Sequence, residues 1–351
     1  MWKRKGMVID MYRIAADNLT ALFGKMAETK TVYMPIRKNG QVNFSKWSQG
    51  EEYCAEELKT VKSAKDLFFP QSENIVAFRK EGKKISIETG ELPREQFVLF
   101  GVRACDAKSF DILDRVFLAE PADQFYKARR ENGVVITTAC GAPEETCFCK
   151  IFGIDPANPG GDISTWLADG QLYWEAVTEK GAALTETLQD LLEAADPAAV
   201  EAQKAEIARI TEQLPLTKLS LEGWNGDATK EKFDDPRWAE LSEACLGCGA
   251  CTFVCPTCQC YDVRDYDTGH GIQRFRCWDS CMYNDFTMMA HGTNRPTQLQ
   301  RFRQRFMHKL VYFPANNDGE YSCVGCGRCV SKCPISMNIA KVIKAFGGDE
   351  K

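Results

Sequence analysis

The alternation of apolar and polar residues predicts strands over much of residues 30–140. TVYMPI and QVNF flank Asn39-Gly40, a pair typical of a tight hairpin turn, and NIVAF and KISIE show the same alternation. FVLFGV and GVVITTA are short continuous apolar runs, as expected for buried strands. Between them, AKSFDILDRVFL has apolar residues at helical spacing. This order of strand, helix and strand predicts an α/β unit.

The pattern changes towards the C-terminus. Residues 182–213 read as two amphipathic helices interrupted at Asp196-Pro197, and the following stretch is polar and rich in turn residues. Most cysteines follow that stretch. We therefore predict an α+β protein in three parts, namely an N-terminal α/β domain (1–180), a helical segment with a linker (181–240) and a cysteine-rich helical domain (241–351).

Seventeen cysteines in 351 residues are more than packing requires, so a ligand is expected to hold many of them. Disulfides are typical of oxidising compartments and small secreted domains, whereas this chain is long enough to bury a large core. The basic first residues, MWKRKG, are not followed by the continuous apolar region of a secretory signal, and no run approaches the roughly 18 apolar residues of a membrane span. We expect a reducing, cytoplasmic location in which thiolates bind metal.

The charge balance excludes one class of function. The chain has 44 basic and 49 acidic residues and a formal net charge of −5. This gives no broad basic surface of the kind that binds nucleic acid.

Two cysteine runs carry the strongest chemical signal. Each has the spacing Cys-x2-Cys-x2-Cys-x3-Cys-Pro, which holds 4Fe-4S clusters in bacterial ferredoxins. Three thiolates at this spacing let a tight loop wrap three corners of a cube, and the intervening glycines permit the conformations that the loop needs. The two runs are Cys245, Cys248, Cys251, Cys255 and Pro256, and Cys323, Cys326, Cys329, Cys333 and Pro334.

The fourth cysteine of each run is predicted to bind the cube of the other run, as in two-cluster ferredoxins. Structural zinc sites also use Cys-x2-Cys pairs, but two complete runs with a proline after each favour cubes. Residues 241–351 are then a two-cluster ferredoxin-like helical domain. The predicted groups are the first ligand set, Cys245, Cys248, Cys251 and Cys333, and the second ligand set, Cys323, Cys326, Cys329 and Cys255.

Four more cysteines follow two predicted strands of the N-terminal half. FVLFGV leads to Cys105, and GVVITTA leads to Cys140, with Cys147 and Cys149 in the next turn. If the sheet is doubly wound, loops at the ends of neighbouring strands lie side by side and these thiolates can converge. We predict that this N-terminal set holds a third 4Fe-4S cluster. Buried free cysteines, a four-cysteine zinc site, or Asp106 in place of one thiolate are the alternatives.

Five cysteines fit no cluster motif. Cys54 has no neighbour in the sequence and is interpreted as a core or surface thiol. The other four, Cys258, Cys260, Cys277 and Cys281, supply the residue types of a fourth cluster but not a recognisable spacing, so we favour free thiols packed beside the cubes. Three cubes predict about 12 irons per chain, at four irons per cube.

Several blocks occur in an order that resembles one family. These are GVRACDAKSFDILDRVF, ETCFC, CLGCGACTFVCPTCQC, RCWDSCMYNDFTMMAHG, RFRQRFMHK and CVGCGRCVSKCP. Together they are similar to the 4Fe-4S dicluster electron-transfer subunits typified by that of anaerobic sulfite reductase and by the β subunit of soluble NiFe sulfhydrogenases. Cys277 departs from the pattern, so the resemblance gives it no ligand role.

The resemblance implies an iron-sulfur subunit of an anaerobic oxidoreductase complex, without a catalytic residue of its own. It would relay single electrons between two other subunits, one a flavin-containing NAD(P)H reductase type and the other catalytic, such as a hydrogenase or sulfite reductase. The sequence itself has no GxGxxG after a strand and no GxxxxGK[ST]. The alternative is a cluster-based catalytic subunit of heterodisulfide-reductase-like type, but the adjacent cysteine pairs of such proteins are absent from this sequence.

One basic run has two interpretations. NRPTQLQRFRQRFMHK contains five cations, Arg295, Arg301, Arg303, Arg305 and Lys309. A helix with this composition is usually a solvated face. The functional alternative is that the cations offset cluster charge or dock an acidic partner.

Overall fold

The computed structural model describes residues 11–57 and 59–347. The basic residues at the start of the chain lie outside this range. The strands of the described residues are β1 (Met11–Ala15), β2 (Thr31–Lys38), β3 (Gln41–Lys46), β4 (Ser72–Glu81), β5 (Lys84–Thr89), β6 (Phe97–Val102), β7 (Gly133–Thr138), β8 (Ile163–Ala168), β9 (Gln171–Ala176), β10 (Glu193–Ala195), β11 (Tyr261–Asp267), β12 (Gly271–Trp278), β13 (Met288–Met289) and β14 (Gly292–Thr293).

The helices are short, and most of them flank the sheets or the cysteine runs. They are α1 (Leu19–Ala27), α2 (Lys65–Phe68), α3 (Ala104–Phe117), α4 (Gln124–Asn132), α5 (Glu179–Glu186), α6 (Glu201–Glu212), α7 (Thr229–Phe233), α8 (Arg237–Glu243), α9 (Ala250–Phe253), α10 (Gln298–Met307), α11 (Phe313–Asn316), α12 (Arg328–Ser331) and α13 (Ile339–Phe346).

The main sheet has eight strands in the order β10-β1-β9-β8-β7-β6-β2-β3. Its centre is parallel, because β2, β6, β7 and β8 run in one direction. Every residue of β6 and β7 is buried, since α1 and α5 contribute to the core on one face and α2, α3 and α4 to the core on the other. The predicted strands and the α/β unit are confirmed, including the hairpin at Asn39-Gly40, where both residues have positive φ.

The helical segment differs from its prediction in one respect. The break at Asp196-Pro197 is present, because the Asp196 carboxylate accepts a hydrogen bond from the Ala198 N–H and starts a 3-10 turn. The first helix, however, ends at Glu186 instead of continuing to the break. Leu188 and Leu192 pack into the core of the main sheet, and β10 then pairs with β1.

A second sheet joins distant parts of the chain in the order β11-β12-β4-β5. Strands β4 and β5 lie within 1–180, whereas β11 and β12 lie within 241–351. The division at residues 180 and 240 stays a prediction. The C-terminal part also contains strands and is therefore not purely helical.

The C-terminal core surrounds the cysteine runs. Aromatic and aliphatic side chains of α8, α10 and α13 pack with Trp224 and Phe148. Helix α10 begins with a capping box formed by Thr297 and Gln300, and it continues into a π-helical turn, His308–Tyr312. Within the part of the chain that the structure describes, no helix has the length and apolar character needed to cross a membrane.

Candidate iron-sulfur centres

The second ligand set converges although its members are far apart in sequence. Cys255, from the first run, lines the same small cavity as Cys323, Cys326 and Cys329 from the second run. Buried Thr257 lies beside it, with its hydroxyl 3.2 Å from the Cys255 Sγ. The structure thus places Cys255 with the three thiols of the other run, and its binding to their cube stays a prediction.

The first ligand set lies closer to the surface. Cys251 interacts electrostatically with Cys245 and Cys248, and Cys248 is exposed. The Tyr283 hydroxyl donates to the Cys248 carbonyl at 3.2 Å. Cys333 is partly buried, and its Sγ donates to the Met337 carbonyl at 3.5 Å. Its place in this set therefore rests on the ferredoxin spacing.

Two glycines of the second run allow it to pack directly on the N-terminal half. Gly325 and Gly327 have φ values of 57° and 76°, a region that favours glycine. A Cβ at Gly325 would lie 2.4 Å from the Phe148 carbonyl oxygen, and one at Gly327 would lie 2.5 Å from the Thr146 carbonyl oxygen. The Phe148 N–H donates to the Gly325 carbonyl at 2.8 Å. The two cysteine loops are therefore held in backbone contact.

The N-terminal set also converges. Cys105 lies in the first turn of α3, directly after β6, and Cys140 follows the neighbouring strand β7. Cys147 and Cys149 belong to the loop that packs on Gly325 and Gly327. All four thiols are buried and line one cavity. The loops after adjacent parallel strands meet as the sequence predicts.

Arg103 points to an anionic group in the cavity of the N-terminal set. Its guanidinium is buried, and among the described residues its Nε has no hydrogen-bond partner. Burial opposes the charge, but the thiolates of Cys105 and other members of the set, together with Asp106, keep the pKa of Arg103 raised. A 4Fe-4S cube with four thiolates carries net negative charge and suits this position.

Asp106 is engaged elsewhere and is a poor candidate for a ligand. Its Oδ2 accepts a hydrogen bond from Arg328 Nη2 at 2.7 Å, and Arg103 Nη2 lies 3.9 Å from the same oxygen. Arg328 also donates to the carbonyl and hydroxyl of Thr60. Asp106 and Arg328 are each 1% exposed, so this ion pair joins α3 to the second run in the interior.

The buried thiols need bound metal in order to ionise. Burial raises the pKa of the Cys105, Cys140 and Cys326 thiols, and it raises the pKa of Cys149 to about 12 and that of Cys329 to about 11. Such groups ionise only beside strong positive charge, which cluster irons supply. No three His, Cys, Asp or Glu side chains of residues 11–57 and 59–347 are grouped as a single metal ion requires. The choice between a cluster and a zinc ion at the N-terminal set stays a prediction.

Three buried cations surround the ferredoxin-type sets, and the sequence did not identify them as a group. Arg305 and Lys309 are 2% and 3% exposed, so the interpretation of this run as a solvated face is wrong for these two residues. Burial opposes their charge, but thiolates including Cys255 and Cys258 raise the pKa of both. Burial lowers the pKa of Lys65 to about 8, and its Nζ donates to the Cys258 carbonyl at 2.9 Å.

Positive charge beside the clusters offsets their negative charge and favours the reduced state. The apolar residues next to Arg305 and Lys309 in RFMHKLVYF were the available sequence signal for their burial. The structure therefore supports the functional alternative, offset of cluster charge, at these two positions.

The remaining cysteines fall into two groups. Cys54 contacts Arg37, with 3.7 Å between the Sγ and Nη2, and Cys277 on β12 faces Arg264, Asp262 and Asp279. The other three lie beside thiols of the ferredoxin-type sets, and their role as free thiols stays a prediction; they are Cys258, Cys260 and Cys281.

Comparison with known proteins agrees with 4Fe-4S clusters in the C-terminal part. Residues 244–337 match the family described as 4Fe-4S dicluster domain. The chain is 32% identical over 335 residues to sulfhydrogenase 2 subunit beta of Pyrococcus furiosus. The alignment covers 94% of this chain and 96% of that protein.

Proposed function

The chain belongs to the sulfhydrogenase beta subunit family and is an iron-sulfur electron-transfer subunit, and from this premise we propose that it relays single electrons along a row of three 4Fe-4S clusters. Bound cubes supply one-electron carriers. The first and second ligand sets would hold two of them, and the N-terminal set would hold the third. The chain's own residues hold the cubes, keep water from the buried ones and place positive charge beside them.

The observation that carries the proposal is the shared wall between two cavities. Gly325 and Cys326 line both the cavity of the second ligand set and that of the N-terminal set. On the other side, Cys329 of the second set interacts electrostatically with Cys251 of the first. These contacts support a row of three sets that runs from the interior of the α/β half to exposed Cys248.

Metal content tests the number of cubes. We expect the fully loaded protein, prepared without oxygen, to contain about 12 irons and as many acid-labile sulfides, at four per cube. Cys147→Ser should remove about four of each, because Cys147 belongs to the N-terminal set, whereas Cys54→Ser should remove none. About eight irons in the unaltered protein, with no loss in Cys147→Ser, would contradict the third cube.

Family membership places the chain in a multisubunit oxidoreductase complex. We propose that its partners are a catalytic oxidoreductase subunit together with a separate, flavin-containing subunit of NAD(P)H reductase type, with no nucleic acid partner. The proposal is supported by the family and by the row of ligand sets, which needs an electron donor at one end and an acceptor at the other. The chain's sequence shows no glycine-rich dinucleotide loop.

Isolation of the native complex tests the partners. We expect purification through a tag on this chain, without oxygen, to recover two further subunits, one that contains flavin and one that is catalytic, identified by mass spectrometry. The complex should reduce a one-electron dye with NAD(P)H, and the purified single chain should not. Turnover of NAD(P)H by the flavin-free chain alone would contradict this division of roles.

A further inference from the structure

Two of the unassigned cysteines, Cys260 and Cys281, contact each other. The Cys281 side chain and backbone are close enough to lower the pKa of the Cys260 thiol, and the side chain is the largest influence on it. The two side chains are partly buried. Neither residue belongs to a proposed ligand set, so this pair has no role in holding a cube.

The β11-β12 hairpin creates this contact. Tyr261 pairs with Trp278 across the hairpin, and the Asp279 N–H donates to the Cys260 carbonyl at 2.9 Å. Cys260 thus lies immediately before β11, and Cys281 lies three residues after β12. The ladder therefore fixes Cys260 beside Asp279, two residues before Cys281, at one end of the hairpin.

The pair lies beside both ferredoxin-type ligand sets. Cys281 interacts electrostatically with Cys251 of the first set. Cys260 interacts with Cys258, whose thiol donates to the Sγ of Cys255 in the second set. Two thiols are therefore adjacent to two proposed one-electron carriers.

A fourth cube does not fit these residues. Its fourth ligand would have to be Cys277, which lies opposite Asp262 in the hairpin and faces Arg264, Asp262 and Asp279 instead of another thiol. Three cysteines remain, and two of them already form the mutual contact.

We propose that Cys260 and Cys281 form a redox-active dithiol that is oxidised to a disulfide by the two ferredoxin-type cubes. This inference rests on the proposed function. The two thiols lose two protons to water and two electrons, one to each oxidised cube, and the two sulfurs form one S–S bond. In the reverse direction, two reduced cubes supply one electron each, water supplies two protons, and the S–S bond breaks.

The electrostatics suit this chemistry. The hydrogen bond from the Cys281 thiol lowers the pKa of Cys260 to about 7, although burial opposes the lowering. The same contact, with burial, raises the pKa of Cys281. A dithiol with one acidic thiol beside a protonated one is typical of redox-active pairs. The pair would store two electrons beside carriers that move one at a time.

Mass spectrometry on the holoprotein tests the pair. The protein is poised without oxygen at a series of potentials, quenched in acid, denatured and alkylated. Cysteines that bind a cluster are released by the acid and alkylated at every potential. Only cysteines joined in a disulfide are not alkylated. Arg264 and Arg274 separate Cys260 from Cys281 on tryptic digestion. We expect a linked peptide pair, two hydrogens lighter than the sum of its parts, in oxidised protein and its loss in reduced protein.

Single substitutions identify which two cysteines form the disulfide. We expect Cys260→Ser and Cys281→Ser to abolish the linked peptide and to keep the unaltered protein's iron content and paramagnetic signals. Cys258→Ser and Cys277→Ser, the matched controls on the same two peptides, should retain the link. Absence of the link at every potential in iron-loaded protein would overturn the proposal, as would loss of about four irons, one cube, from Cys260→Ser. Failure of the three-cube proposal would appear separately, in the iron content of the unaltered protein.

Discussion

Cys255→Ser and Cys323→Ser are expected to abolish the same paramagnetic signal, although the two cysteines belong to different runs. Both thiols line the cavity of the second ligand set, so either change removes a ligand of one cube. The iron content of each variant should fall by about four. Electron paramagnetic resonance of the reduced protein, recorded beside an iron determination, measures both effects.

Cys248→Ser is the matched control for this experiment. It lies in the same run as Cys255 but in the first ligand set, so its loss should remove a different signal and leave that of the second set. If Cys255→Ser and Cys248→Ser lose the same signal while Cys323→Ser loses another, each run holds its own cube and the exchange of ligands is wrong.

Asp106→Ala is expected to lower the free energy of unfolding by about 3–5 kcal/mol, the usual effect of breaking a buried ion pair. The change leaves the Arg328 guanidinium without its carboxylate in the interior. Denaturant unfolding of the holoprotein, followed by cluster absorbance and circular dichroism, measures the shift. Glu206→Ala is the control, because the Glu206 pair with Arg209 is exposed on α6 and should contribute little.

The same ion pair predicts a pH dependence. Burial opposes ionisation of Asp106, but Arg328 and Arg103 outweigh it and hold the pKa of Asp106 below its ordinary value. The contribution to stability is therefore present above the ordinary carboxyl pKa and is lost as the pH falls through the lowered pKa. Asp106→Ala should remove this part of the acid sensitivity. Equal stability of the variant and the unaltered protein at neutral pH would mean that the pair contributes nothing.

Local spacing predicted which thiols lie together, although their binding of clusters stays a prediction. The two ferredoxin runs specify eight thiols because a short loop has few ways to wrap a cube, and Cys255 lies where that rule puts it. The N-terminal set was predictable because FVLFGV and GVVITTA read as adjacent buried strands, whose loops meet at one edge. In both cases the relevant contacts follow from a recognisable motif or from sheet topology.

Contacts set by long-range packing were not predictable. Nothing near residues 72–81 indicates that this strand pairs with 271–278, and the contact between Cys260 and Cys281 depends on that C-terminal hairpin. The pairing of Asp106 with Arg328 joins residues 222 apart. Composition alone suggested a solvated face for Arg305 and Lys309. In the structure both are buried, and the surrounding thiolates stabilise their positive charge there.

The exposure of Cys248 has a consequence for damage by dioxygen. In the N-terminal set, all four cysteines are buried, and in the second set Cys255 and Cys326 are buried. In the proposed row of three cubes, an oxidant arriving from solvent would therefore meet the cube of the first set before the other two. Because that cube ends the row, its destruction would disconnect the interior carriers from whatever docks there while leaving them chemically intact. Air-exposed protein would then keep much of its iron and colour after it has lost its ability to exchange electrons through that face.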